Sequence, residues 1–426
     1  MEEGQHLPLH KVVAVGIGNA LEFYDFLTYS FFAIQIGHSF FPEKHGLLYS
    51  LAVFGVGFLT RPLGGLVLGM MGDRVGRRPA MVLSFTLIGI ALLGLALTPS
   101  YAQIGVAAPV LLVFFRLMQG FALGGEVGAS TAFLVEAAPP ERRGLYVSLQ
   151  YMTQDFAVLV AGIVGFALSN WLTPEQLDDW GWRAAFLLGT AVIPMGFYLR
   201  RNLPETLLAG EATAEPAQKR KLPWGFVVLA LLMTMATSTY IFGIDYITTY
   251  VQDSLKMDAG AAFISTVLIG LCATIGDPIS GMLSDRFGRK PVMLTAVAII
   301  LLVVAPSFMA MTRWGGNGVV FTATALLAFL QSLLIVPALT AIAETLPKTI
   351  RSGTIGVVYA ISTSIFGGSV QVVLKSLIDW TGNPLAPAWY ICGIVALGGL
   401  AMLAVRESAP VRARTPNAEG RPRQAF

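Results

Sequence analysis

The segment GMMGDRVGRRPAM at residues 69–81 returns 212 residues later as GMLSDRFGRKPVM at 281–293. A second pair, EAAPPERR at 136–143 and ETLPKTIR at 344–351, matches in Glu, Pro and Arg at an offset of 208. Two independent matches at nearly one spacing mark an internal duplication. What surrounds them is apolar. Runs of the length a bilayer-spanning helix needs, about 20 residues, lie near 12–37, 47–72, 79–99, 104–136, 144–170 and 183–199. Six more lie near 224–252, 259–284, 291–311, 317–345, 352–379 and 387–405. The polar stretch RRNLPETLLAGEATAEPAQKRK at 200–221 separates the two sets. The expected fold is all-α and membrane-integral, with twelve spans in two parallel six-helix repeats. Its expected parts are a first half at 1–199, a linker at 200–223, a second half at 224–405 and a tail at 406–426.

Composition agrees. Of 426 residues, 55% are hydrophobic and 12% charged, with a net charge of +3 and a mean hydropathy of +0.69. Soluble domains carry about 25% charge, so this chain cannot cover a soluble surface. Disorder, a disulfide scaffold and nucleic-acid binding are excluded on the same grounds. Cys272 and Cys392 sit in apolar runs, as reduced thiols would, and the four histidines, all within the first 45 residues, assemble no metal site. The acidic, polar N-terminus lacks the basic region of a cleavable signal, so the first span is expected to be retained.

Placing both termini in the cytoplasm puts 21 of the 28 Lys and Arg on that side and five at the outer rim. That bias sets the orientation. Both halves then face the same way, related by an axis along the membrane normal, and a substrate site is expected between them near the midplane. In the repeated loops the glycines permit close helix approach. Asp73 with Arg77, and Asp285 with Arg289, can pair in one conformation and separate in another, as a cytoplasmic gate requires.

The G-x-x-x-D-R-x-G-R-[RK] pattern between spans two and three, repeated between eight and nine, resembles the signature loop of the major facilitator superfamily. GNALEFYDF at 18–26, GFLTRPLGG at 57–65, RLMQGFALGGEVG at 116–128 and SIFGG at 364–368 resemble its metabolite:proton symporter branch. AVFGVGFLTRPLGG and NPLAPAWY are most similar to citrate or tricarballylate symporters. The resemblance implies alternating access and proton-coupled uptake of a small organic anion, citrate or a related carboxylate first. Ketoglutarate, shikimate and the zwitterions proline and betaine are the alternatives. It also implies a bacterial inner-membrane protein acting as a monomer, its partners the organic anion and the lipid bilayer, with no cofactor beyond the coupling ion H+.

Charges within the membrane are costly and so informative, about 2.5–3.5 kcal/mol each at a helix centre. Asn19, Glu22, Phe26 and Tyr29 form one stripe of the first span, with Asp25 one turn from Glu22. Arg116, Gln119 and Glu126 share a face of the fourth, while Gly120, Gly124 and Gly128 make a small-residue packing ridge. For Arg116 two roles fit: an ion pair with Glu22, Asp25 or Glu126, or contact with an anionic substrate. Arg61 is expected to have a structural partner. Gln150, Gln154, Tyr240, Ser364, Gln371 and Lys375 join Asn19, Tyr29 and Arg116 as candidate cavity residues, although Lys375 and Asp379 at i, i+4 also fit a rim salt bridge. The acids Glu22, Asp25, Glu126, Asp155 and Asp245 are the proton-coupling candidates, with Asp277 a further buried acid. Excess buried acids favour proton coupling; sodium would need clustered oxygen ligands. A membrane enzyme or ATP-driven pump is disfavoured, since the chain has neither G-x-x-x-x-G-K-[ST] nor H-E-x-x-H.

Overall fold

The computed structural model describes residues 20, 23–41, 45–74, 77–124, 126–190 and 224–410. All regular structure among them is helical. Lipid imposes this, because without water each segment must close its own backbone hydrogen bonds. The first span is helical over 23–31 and continues as α1 (Ala33–Phe40); α2 (Gly46–Leu59) and α3 (Arg61–Arg74) form the second and α4 (Arg77–Leu97) the third. The fourth is α5 (Ala107–Leu123) with α6 (Glu126–Ala137), the fifth α7 (Arg143–Trp171), and the sixth begins at 182–190. In the second set, α8 (Trp224–Asp245) and α9 (Ile247–Asp253) make the seventh span, followed by α10 (Ala259–Phe287), α11 (Arg289–Arg313) and α12 (Asn317–Thr345). The eleventh is α13 (Lys348–Ser362) and α14 (Gly368–Thr381), joined by a π turn at Thr363–Gly367, and α15 (Ala386–Ala404) is the last. Eight helices are long and apolar enough to cross a bilayer, and two shorter apolar ones, Val82–Leu97 and Ala107–Leu123, accompany them. Helix thus stands at each of the twelve expected places. Hydropathy missed only the internal breaks, which leave an apolar run apolar.

Small residues set how closely the helices approach. The glycine ridge of the fourth span packs as expected: a methyl at Gly120 or Gly124 would collide with the carbonyl of Gly57 or Arg61 in the second. Gly128 instead faces the other half, its would-be Cβ 2.6 Å from the Ser352 carbonyl and 2.7 Å from Gly356. The two halves meet along two seams. α7 and α10 pack along most of their length, and the second span packs on the eleventh. Where α10 turns into α11, Gly288 has φ 102°. Only glycine takes that conformation readily, which accounts for the glycine in D-R-x-G-R.

Candidate substrate and gating sites

Arg116 is fully buried in α5. Gly57 across the helix pair has no side chain to obstruct it; a Cβ there would lie 3.1 Å from Nη2. Nη1 donates to Gln119 Oε1 at 2.7 Å and Nη2 to the Phe54 carbonyl at 3.2 Å, while Nε has no acceptor. The guanidinium carbon stands 4.4 Å from the Tyr29 ring centre and 4.5 Å from that of Phe26. The expected first-span stripe therefore does face Arg116, through its aromatic members. Asp25 does not: its carboxyl packs against Gly189 of the sixth span, and Oδ1 lacks a donor. Of the three ion-pair partners considered for Arg116, Asp25 is thus ruled out in this conformation. Asn19 and Glu22 lie outside the described residues, as do the side chains of Glu126, Asp73 and Arg77.

Arg61 is expected to have a structural partner, and two aromatic rings supply it. It is 5% exposed and has no ion pair or hydrogen bond among the described residues. Its guanidinium carbon sits 4.3 Å from the Phe26 ring centre and 4.2 Å from that of Phe58. Phe26 thus carries two buried cations, and the aromatic cluster continues through Phe54, Phe58 and Phe242. Arg61 also lines a small cavity with Gly124, Gly128, Gly356 and Tyr359. A signal was present in GFLTRPLGG, which offers no acid within a turn of the arginine.

Several other candidates are engaged. The Ser364 hydroxyl donates to the Phe58 carbonyl at 2.7 Å, and Gln371 Nε2 donates to Ser30 Oγ at 2.7 Å, both across the halves. Gln150 Oε1 accepts from Thr131 at 2.9 Å, whereas Gln154 Nε2 is buried without an acceptor. The Tyr240 hydroxyl donates to the Leu327 carbonyl at 3.0 Å. Lys375 is held by Asp379 at 2.7 Å and by Asp253 at 2.8 Å, so the rim-bridge reading describes it better than a cavity role. Asp155 and Asp245 are both buried, and Gln331 Nε2 lies 3.4 Å from Asp155 Oδ1.

At the end bearing the second signature loop, charges cross between the halves. Asp285 accepts from the backbone N–H groups of Gly144 and Leu145, both at 2.9 Å, capping the start of α7 from the other half. A carboxylate there also meets the positive end of the helix dipole. Arg289 binds Asp285 and grips Glu344 through Nε at 3.2 Å and Nη2 at 3.1 Å. Arg351 pairs with Glu136 at 2.9 Å, and Arg143 approaches Glu344 at 3.9 Å. The repeat's acid in each half thus faces the repeat's arginine in the other. At the opposite end the halves touch through Gly55 and Gly368, through Gly165 and Phe263, and through Gln35 and Gln252 at 3.4 Å.

The family model for the Major Facilitator Superfamily matches residues 15–277 and 247–426. The chain is 34% identical over 402 residues to a citrate-proton symporter of Klebsiella pneumoniae, covering 90% of each chain. It is 32% identical over 422 residues to an ectoine/proline transporter of Corynebacterium glutamicum, covering 92% of this chain and 83% of that one. Among solved structures, a D-xylose-proton symporter superposes with a TM-score of 0.74 at 18% identity, over 95% of this chain and 99% of the other.

Proposed function

The chain belongs to the Major Facilitator Superfamily, and on that premise we propose that it imports a small organic anion together with protons, citrate or a related di- or tricarboxylate first. The observation that carries this reading is the pair of buried guanidiniums, Arg61 and Arg116, stacked on Phe26 with no carboxylate partner among the described residues. Arginine stays charged when buried, and its planar fork matches a carboxylate. A substrate with two or more carboxylates supplies what both cations lack, and Gln119, bonded to Arg116, has an amide nitrogen without an acceptor. The zwitterionic-osmolyte reading needs free aromatic faces to cage a cationic headgroup. Here the faces of Phe26 and Tyr29 already hold the protein's own guanidiniums.

The two halves, 1–199 and 224–405, rock about this site. Both termini are cytoplasmic, in the inner membrane of a bacterium, and the signature-loop end is the cytoplasmic gate, built from Asp285, Arg289, Glu344 and the Glu136–Arg351 pair. The test is uptake of labelled citrate into proteoliposomes with and without an inward proton gradient. Gradient-stimulated uptake that a protonophore abolishes is expected. Arg61→Gln and Arg116→Gln are each expected to lower it by about tenfold or more, the scale of a lost charged hydrogen bond. Uptake of betaine or proline in place of citrate would overturn the anion reading.

A further inference from the structure

Asp155 in α7 and Asp277 in α10 belong to opposite halves and lie at the long seam, where adjacent residues of α12 reach both: Gln331 Nε2 is 3.4 Å from Asp155 Oδ1, and Ser332 packs on Gly276 beside Asp277. They are 6% and 0% exposed, and neither has a cationic partner among the described residues. The groups facing them from the neighbouring elements bring no positive charge. They are Tyr151 on α7, Asp245 on α8, Gln331 and Ser332 on α12, and Tyr359 on α13 behind Tyr151. Ser332 directs its hydroxyl to the Ala273 carbonyl at 3.1 Å. Both oxygens of Asp277 are consequently left without a donor. A second observation points the same way. Gln331, 3% exposed, aims its amide at this cluster, and its Oε1 also finds no donor. The site has acceptors and lacks protons.

We propose that Asp155 and Asp277 are one proton-binding site shared between the two halves. One proton resides on an Oδ of either acid and is donated to the other, turning the repulsion of two facing carboxylates into an O–H···O bond. The bond ties the fifth span to the eighth while the seam is closed. When the seam parts, each carboxyl meets water, the proton passes to a water molecule, and the pair goes from a net charge of −1 to −2. Reloading from the other side of the membrane permits reclosure. The proton is thereby a condition for the halves to close, and the site is the coupling element of the symport reading on which this inference rests.

The test uses Asp155→Asn and Asp277→Asn in full-length protein. Asparagine mimics the permanently protonated acid, because its amide N–H donates to the remaining carboxylate. Labelled citrate is followed in two modes: accumulation on a proton gradient, and exchange at equal pH on both sides. The ratio of accumulation to exchange is expected to fall about tenfold or more in each variant, within the usual range of coupling free energies. A ratio within about twofold of the unsubstituted protein in both variants would overturn the inference. Accumulation driven by sodium and abolished by the same substitutions would also overturn it, assigning the cluster to a metal cation. Infrared spectroscopy gives a readout independent of substrate. The difference spectrum between the unsubstituted protein and each variant at neutral pH is expected to show the loss of one protonated-carboxyl C=O band, the other buried acids cancelling, and a difference spectrum without that loss in both variants sinks the shared proton. If the unsubstituted protein carries no citrate, the symport reading fails, and the band still decides whether the proton is there.

Discussion

The two ends of the interface between the halves are closed by different forces. At the signature-loop end the contacts are charges: Asp285 on the first amides of α7, Arg289 on Glu344, Arg351 on Glu136. At the opposite end they are shapes: Gly55 on Gly368, Gly165 against Phe263, with amides of Gln35 and Gln252 between. Charge contacts form and break without a steric barrier, and their strength follows salt and pH. Contacts between glycines tolerate no added atom, and they are indifferent to both. One end is therefore tunable by conditions, while the other is set by volume.

The largest effect on this contrast is expected from Arg289→Ala. It leaves Glu344, 2% exposed, with the Ser408 hydroxyl at 2.7 Å and, as its nearest cation among the described residues, Arg143 at 3.9 Å. Removing one partner of a buried pair costs about 3–5 kcal/mol, readable as lowered thermal stability in detergent, and adding Glu344→Gln should recover most of it. If Arg289→Ala is neutral, the loop end is not held by charge. Next comes Gly55→Leu. Its side chain has no space against the Gly368 backbone, and overpacking of about 1–3 kcal/mol should hold the opposite end open. Labelling of a cysteine placed near Gln252 should rise accordingly and be insensitive to salt.

A smaller effect belongs to the partly exposed Glu136–Arg351 pair. Arg351→Glu should reduce transport, and adding Glu136→Arg should restore it, with a coupling of about 1 kcal/mol or less that high salt diminishes. The smallest concerns His38, just past the apolar run of the first span. Its hydrogen bond to Asp178 at 2.9 Å, aided by that carboxylate's charge and opposed by partial burial, raises it above its ordinary value. The imidazole is then protonated at about pH 6.5 and below, and its contribution fades as pH rises through the raised value. At an exposed site this amounts to about 0–1 kcal/mol, visible as a pH slope in stability that His38→Gln removes.

Much of this architecture is legible in the sequence because lipid reduces the choice of structure to helices. The run read at 317–345 is α12 to the residue, and 259–284 is α10 less its last turn. Local spacing also found the Lys375–Asp379 bridge and the stripe through Phe26 and Tyr29. It could not find Asp253 as the second partner of Lys375, nor Asp277 beside Asp155, because those residues lie more than a hundred positions apart. The nature of the Arg61 partners was hidden for a different reason. A lone buried arginine invites the assumption of an acid, and periodicity does not reveal that two aromatic rings stand in that place. The breaks at Tyr246 and at Thr363–Gly367 are silent in hydropathy because the residues there are as apolar as their neighbours.

The crosswise pairs, Glu136 with Arg351 and Glu344 with Arg143, have the form of an isologous dimer contact, in which residue i meets j and j meets i. A chain of half this length, bearing one acid and one arginine at these positions, would satisfy both by docking with its own copy about a two-fold axis. Fusion of two such copies removes the requirement that the contacts stay equal, and they have not. Among the described residues one pair is a bridge at 2.9 Å, while Glu344 is gripped by Arg289 and sits 3.9 Å from Arg143. The asymmetry of a single acid thus records how far a once self-complementary surface has drifted since it became two.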